Sequence, residues 1–433
     1  MKRYIFILLS CLFGMIQAQE RLDTLTAVVR DAETGEPVPY ASVYVSPSCG
    51  TISNVEGEFS LQCLPTDVVR ISSIGYAKAV YEASRLPATV QLRPVTTAMR
   101  ELTVTSADDV LYRLVRKMQR EARKHRKASA NYFFRLTTQY PGTDELAEAF
   151  MSAKSCVQLR DLTFHSGKRG LLKEDALGSP DLKGLGRTNT HVFLRLAPVL
   201  VNFDNWLFIF VPADFVLERR AKLYYDVSCV GYTDDDGLEI RKIHLEKKKG
   251  IASPPILEGT LYVDYRNCRL LRFDGRLRGL YLRIYDNARR RESIDTLGYT
   301  MHVDYRHDHG FTEIANMSGT LLKDKVMLRF LLFGLGDRPM SFARAKRVGD
   351  NMLSAIDEVG YDSLLWTTSD IVKRTRVEER VAFGDSAFIR GERSAYNVPP
   401  SLQERDANAF LRDAMQKLKA GTMKLHRGLP TRK

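Results

Sequence analysis

One stretch constrains the fold more than any other. Residues 24–92 break into seven short apolar pieces: Thr24–Val29, Ala41–Val45, Gly50–Ser53, Glu58–Gln62, Val68–Ser73, Ala77–Ala83 and Thr89–Leu92. Several alternate with period two. Ala41, Val43 and Val45 face one way, Ser42 and Tyr44 the other; Phe59 with Leu61, and Val69 with Ile71, repeat the pattern. Short alternating strands parted by Gly, Pro, Asn and Asp predict a seven-stranded β-sandwich. The turns have their own chemistry. Gly35, within Glu33–Pro37, can take a positive φ, and Asn54 with Gly57 frames a tight hairpin about Val55 and Glu56. Folding that hairpin sets Cys49 almost opposite Cys63. A disulfide there is one expectation; two buried thiols are the other.

The chain opens with Lys2 and Arg3, an apolar run from Ile5 to Ile16, and Ile16-Gln17-Ala18 before Gln19. That is the layout of a signal peptide over residues 1–18, too short to span a bilayer. Leu8-Leu9-Ser10-Cys11 resembles a lipobox, which would lipidate Cys11, but simple cleavage is the preferred reading because the apolar run continues past Cys11. An export compartment permits disulfides. No later run reads as a transmembrane helix, since even Val192 to Val211 carries Arg195 and Asp204. The net charge of +13 suits a chain facing anionic phosphate, though a solvated basic surface explains it as simply.

Three groups of residues in the first stretch then form a pattern: Asp31, Gly35, Pro37, Val38, Ala41 and Val43; Thr51, Asn54, Gly57, Phe59 and Leu61; Ser72, Ile74, Gly75 and Tyr76. This order resembles the carboxypeptidase-regulatory-like domain, a small prealbumin-like sandwich. The resemblance covers about a sixth of the chain. It departs from the family in lacking an early Gly in the first strand and in placing Asn54 where Asp is commoner. It implies turn roles for Gly35, Asn54, Gly57 and Gly75, and an accessory module without catalytic activity. Glu101-Leu102-Thr103-Val104 resembles the exit strand of this module, which extends the expected domain over residues 19–105.

A basic linker helix is expected over 106–130. Ser106 stands three before Asp109, as in a capping box. Val110, Leu111, Leu114, Val115 and Met118 keep helical spacing. Arg116, Lys117, Arg120, Arg123, Lys124, Arg126 and Lys127 make its second half cationic. Contact with phosphate is one reading and a solvated face the plainer one. Nucleic acid is disfavoured by export and by the lack of interleaved aromatic residues.

From residue 131 to 340 a β-rich domain is expected. Tyr132–Leu136 begins it. Ala147–Lys154 is open between helix and strand, and Lys168–Thr190 reads as a long loop. Leu223–Val230, Leu238–Leu245, Gly259–Asp264, Arg269–Phe273, Leu280–Ile284, Tyr299–Tyr305 and Gly319–Phe330 follow as strands. They form an antiparallel meander, a possible half-barrel with one face on a core and the other wet. Residues 258–273, EGTLYVDYRNCRLLRF, resemble a signature of uncharacterised Bacteroidota cell-envelope proteins, some of which continue into an outer-membrane barrel. Nothing barrel-sized follows here. Residues 341–433 read as a mixed helical and irregular segment, with a final helix over Leu402–Leu418.

The search for chemistry returns little. His-x-x-Glu and His-Glu-x-x-His are both missing, so zinc peptidase chemistry of the usual kinds is disfavoured. His302, Asp304, His307 and His309 form the best metal-like cluster, with a polar hairpin end as the more economical reading. Asp234–Gly237 lacks the spacing of a calcium loop. Gly184-Leu185-Gly186 is no dinucleotide loop. No cofactor is expected. The whole predicts an α+β, mainly β chain: an exported, non-catalytic envelope protein of the periplasm or the periplasmic face of the outer membrane. It would bind an outer-membrane protein or a lipid, with Phe193–Phe215 as pocket or interface material. A hydrolase with a site formed only in three dimensions, or a barrel-less relative of outer-membrane transporters, is the alternative.

Overall fold

The computed structural model describes residues 22–95, 107–140, 143–155, 159–173, 225–233, 237–250, 256–278, 281–283, 291–293, 300–323, 326–338, 340–347, 352–362, 365–366 and 371–383. The leader with Cys11, the exit strand Glu101–Val104, Cys156, Gly184–Gly186, Phe193–Phe215 and the helix expected over Leu402–Leu418 lie outside them. The chain is mainly β and divides into two units: residues 1–94 with 370–373, and the remainder.

The first unit is a seven-stranded sandwich. β1 (Asp23–Asp31), β4 (Glu58–Cys63) and β7 (Thr89–Leu92) form one sheet, in the order β4-β1-β7. β2 (Ser42–Ser46), β3 (Cys49–Ile52), β5 (Val68–Ser72) and β6 (Ala79–Glu82) form the other, in the order β3-β2-β5-β6. The period-two residues supply the core: Val29, Val43, Phe59, Val69, Ile71 and Val90 are fully buried. Burying each such side chain contributes on the order of 1.5–3 kcal/mol.

Turn residues are held by specific bonds. Asp31 Oδ1 accepts from the backbone N–H groups of Glu33 (2.8 Å) and Thr34 (2.9 Å), while its Oδ2 accepts from Tyr76 Oη–H at 2.9 Å. These backbone bonds hold the Asp31 carboxyl below its usual range. Gly35 and Gly75 have positive φ of 73° and 92°. Asn54 Oδ1 accepts from the N–H groups of Glu56 and Glu58, both at 2.9 Å. Gly57 has φ 77°, and an added Cβ would stand 2.5 Å from the Val29 carbonyl oxygen, so only glycine fits.

Here one expectation needs correction. The turn at Asn54–Gly57 joins β3 to β4, which lie in different sheets, so it is a crossover and not a ladder hairpin. Cys49 and Cys63 therefore do not face each other across paired strands. Both are thiols: Cys49 Sγ donates to the Gln62 carbonyl oxygen at 3.5 Å, and Cys63 is buried. Burial, with Asp67 nearby, pushes the Cys63 thiol up to about 11. Residues 371–373 also belong to this unit: Thr51 Oγ1 donates to the Ile371 carbonyl, and Lys373 pairs with Glu58 at 3.0 Å.

The second unit begins with helix α1 (Ala107–Lys124). Its strands are β8 (Ala130–Tyr140), β9 (Thr143–Ser155), β10 (Arg160–Lys173), β11 (Tyr225–Thr233), β12 (Glu239–Lys247), β13 (Ile256–Asp264), β14 (Arg269–Arg278), β15 (Tyr281–Arg283), β16 (Arg291–Ser293), β17 (Thr300–Arg306), β18 (Glu313–Lys323), β19 (Val326–Gly334) and β20 (Lys346–Arg347). Helices α2 (Met352–Val359) and α3 (Arg376–Phe383) follow. Eleven strands form one antiparallel sheet, ordered β11-β12-β13-β14-β17-β18-β19-β8-β9-β10-β20 and not closed into a barrel; β15 and β16 make a separate ribbon.

Three further readings change. Residues 168–173 continue β10 and pair with β9, so this part of the expected loop is strand; residues 174–190 lie outside the described residues. Ala147–Lys154 is strand, within β9. Gly319–Phe330 is two strands, β18 and β19, which pair antiparallel with Lys323 opposite Val326.

One face of the sheet is apolar. Tyr132, Phe134, Met151, Phe164, Leu261, Phe273, Val303 and Phe330 lie on it and pack in one cluster with Val110, Leu111, Leu114, Val115 and Met118 of α1 and with Ile356 of α2. The opposite face of β8–β10 is covered too. Trp366 packs edge-on against Phe150 at 4.8 Å, and Gly170 lies so close to Val381 of α3 that a Cβ would come within 2.6 Å of its carbonyl oxygen. Strands covered on both faces read as continuous apolar runs, which is the texture of Tyr132-Phe133-Phe134.

Candidate functional site

The polar chemistry of the second unit gathers in two ionic clusters and one cationic stripe. The first cluster centres on Glu148, which is fully buried. Register places Arg135 of β8 and Lys168 of β10 on either side of it. Arg135 Nε donates to Glu148 Oε1 at 2.7 Å, Arg374 donates through Nη2 at 2.8 Å and through Nε at 3.0 Å, and Lys168 Nζ lies 3.4 Å away. Burial alone would raise the Glu148 carboxyl. The three cations outweigh it and hold the group well below the usual carboxylate range. Glu378 joins the network, accepting from Thr137 Oγ1 at 2.6 Å and Arg135 Nη1 at 3.3 Å. It also closes a capping box on α3: Thr375 N–H donates to Glu378 Oε2 (2.9 Å) and Glu378 N–H to Thr375 Oγ1 (3.3 Å).

The second cluster lies on the wetter face, over β14, β17 and β18. Arg272 Nε donates to Asp304 Oδ1 at 2.6 Å, and Asn316 Nδ2 donates to Asp304 Oδ2 at 3.0 Å. His302 bridges two carboxylates, with Nδ1 2.5 Å from Asp274 Oδ1 and Nε2 3.0 Å from Asp304 Oδ2. Burial works against the charged ring, but Asp304 and Asp274 outweigh it and raise the His302 pKa. Burial likewise opposes Asp304, yet Arg272 and His302 hold it well below the usual range.

These arrangements bind strands together. A general base needs a nitrogen or carboxylate oxygen open to substrate. His302 has a carboxylate on each ring nitrogen, and Glu148 is surrounded by cations. The metal-like residues do not converge either. His307 Nε2 donates to the Leu270 carbonyl at 2.7 Å, while His309 faces Glu313 at 2.9 Å and Asp337 at 3.3 Å. The turn at residues 308–310, with Gly310 at φ 77°, sends His302 and His309 to different partners. Among the described residues no three His, Cys, Asp or Glu stand as a metal-ligand group.

The cationic residues of α1 occupy its outer face. Arg116, Arg120, Arg123 and Lys124 are exposed, as are Arg126 and Lys127 just beyond the helix. Lys117 differs: it is half-buried, donates to the Asn267 carbonyl at 2.7 Å and pairs with Glu121 at 3.7 Å. Glu121 in turn accepts from Thr312 N–H and Oγ1–H at 2.9 and 2.8 Å, fixing the helix end to the β17–β18 turn. Sequence reasoning missed the Glu148 network. Its one local signal was Thr375-x-x-Glu378, a capping-box spacing.

No family model matches the chain, and no curated protein does. Slight likenesses to solved structures exist. A DUF1329 family protein from Desulfovibrio piger aligns at 14% identity over 55% of this chain and 96% of its own, with a TM-score of 0.22. The Pseudomonas aeruginosa MucA/MucB complex aligns at 10% identity over 53% and 93%, with a TM-score of 0.15. A structure of MucB with MucA(peri) aligns at 11% identity over 53% and 94%, with a TM-score of 0.16. Likenesses this slight leave the function to be argued from the chain's own residues.

Proposed function

We propose that this is a non-catalytic, exported cell-envelope protein that docks a partner protein along open sheet edges. Its first unit is read as a carboxypeptidase-regulatory-like module. The bonds made by Asp31, Tyr76, Asn54 and Gly57 support that reading, because each motif residue has a turn to hold. The apolar leader-like segment of residues 1–18 supports export. The observation that carries the docking reading is the open edge. The eleven-stranded sheet does not close, and among the described residues β11 pairs only with β12. Val230 on β11 is 36% exposed. In the first unit β6 is likewise an edge, with Val80 57% exposed and Val68 of β5 41% exposed on the same outer face. An unpaired edge with exposed apolar side chains is a template for strand addition. The apolar face, by contrast, is filled by α1 and α2, which argues against an acyl chain bound there.

Envelope fractionation with photo-crosslinkers at positions 80 and 230 tests this. The expected result is recovery with the envelope and capture of one protein. Recovery from the soluble periplasm with nothing attached at either position sinks the reading.

A further inference from the structure

The outer face of α1 carries an arrangement that neither the fold nor partner docking requires. Its apolar residues, Val110, Leu111, Leu114, Val115 and Met118, are all buried in the core. Opposite them, Arg113, Arg116, Arg120, Arg123 and Lys124 are exposed. At 3.6 residues per turn these five fall within an arc of about 100°. Among the described residues no carboxylate pairs with Arg116, Arg120, Arg123 or Lys124. Arg116 lies over the Tyr112 ring at 4.9 Å, and Arg113 over Tyr265 at 5.3 Å. Arg126 and Lys127 extend the cationic surface past the helix end, and Arg266 is exposed in the β13–β14 turn that Lys117 touches.

Such a stripe is unfavourable for the helix by itself. Arg113 with Arg116, Arg116 with Arg120, Arg120 with Arg123 and Arg120 with Lys124 are like charges three or four residues apart, and each pair destabilises a helix. Interleaved acids would relieve the repulsion, yet Glu121, the nearest acid, is turned toward Thr312. A surface of clustered phosphates would relieve it too, and would meet five cations presented on one face of the helix. We infer that this face of α1 docks on the surface of an anionic phospholipid bilayer. The inference rests on the envelope part of the reading above but not on its strand-addition part. A polybasic face gains affinity for each cation brought to an anionic surface, and that gain is screened by salt. The binding is therefore peripheral, consistent with no described helix being long and apolar enough to cross a membrane.

Flotation of the full-length purified chain with vesicles provides the test. One set contains phosphatidylcholine with a third phosphatidylglycerol, the other phosphatidylcholine alone. The chain is expected to float with the anionic set in low salt, to dissociate in 0.5 M salt, and to stay down with the neutral set. The triple variant R116E/R120E/R123E should lose binding by about a hundred-fold or more. R116K/R120K/R123K should keep it, because a surface potential reads charge and not the guanidinium fork. A control of equal charge change, R70E/K154E/K249E, should bind nearly as the parent does. No binding to anionic vesicles, or equal loss in R116E/R120E/R123E and in the control R70E/K154E/K249E, overturns the proposal. So does preference for an oligonucleotide at equal phosphate concentration. Crosslinking at positions 80 and 230 reads out the docking reading separately, and either can fail without the other.

Discussion

Two carboxylates of the second unit, Glu148 and Asp304, sit on facing-strand ladders of the same sheet, and both are held ionised by neighbouring cations. Their surroundings differ. Glu148 lies where both faces are covered, and its partners come from β8, β10 and the chain at Arg374, 226 residues away. Asp304 lies on the wetter face and is held by Arg272 and Asn316 from the two adjacent strands and by His302 two residues before it on β17. The sheet also differs between the region of β8–β10 and the edge at β11. At β8–β10 a buried network pins later chain segments over the strands. At β11–β12 one face alternates with solvent, and among the described residues no strand pairs with the outer side of β11. A buried ion pair is not in itself a large source of stability, because desolvation offsets most of the attraction; breaking it is costly.

Removing the centre of the β8–β10 network should have the largest effect. Glu148→Ala leaves Arg135 and Arg374 buried without their carboxylate, and the expected loss is about 3–5 kcal/mol in the second unit. Calorimetry should show that unit's transition shifted down while the first unit's stays in place. An unshifted transition would mean the cations find other partners.

In mid-sheet, on β17, Asp304→Asn should cost less, about 2 kcal/mol, since it removes charge-assisted bonds at a site nearer water than Glu148. The same cluster gives a pH dependence with a definite sign. His302 has a folded pKa raised above 6.5. Its stabilisation is fully present below pH 6.5 and is lost as pH rises from there through the folded value. Asp304 works in the other direction: its contribution is present above the ordinary 3.8 and is lost as pH falls toward its depressed folded value. Denaturant midpoints across neutral and mildly alkaline pH should therefore decline in the parent and flatten in His302→Gln. An identical slope in both would assign the titration to another group.

Thr375→Ala removes the hydroxyl half of the capping box and should cost about 1 kcal/mol. The smallest effect on stability belongs to the edge at β11. Val230→Lys should change the midpoint by no more than about 0.5 kcal/mol, yet abolish capture at that edge, because a charged edge strand resists strand addition.

How legible this was depends on sequence distance. The core of the sandwich showed in the alternation of Val43, Phe59, Val69 and Ile71, and the buried stripe of α1 showed in its spacing from Val110 to Met118. Both patterns need only neighbours in sequence. The turn at Asn54–Gly57 also has local chemistry, but which sheets it joins does not follow from four residues, so the expected placement of Cys49 opposite Cys63 on a hairpin did not hold, and of the two expectations the structure shows thiols. Charge density misled at Lys168–Lys173, where Lys168 and Arg169 face Glu148 and Glu145 and are strand residues for that reason. The Glu148 network depends on Arg374 arriving from far along the chain, and no periodicity encodes that.

Hydrogen exchange of the full-length protein, followed peptide by peptide, tests the contrast between β8–β10 and the edge at β11 most directly. Amides of β8 and β9 should exchange only through global opening of the second unit. The outward amides of β11 and β6 should exchange orders of magnitude faster, as unpaired edges do. Protection of β11 equal to that of β9 would contradict the account, since an edge already paired cannot receive a partner strand.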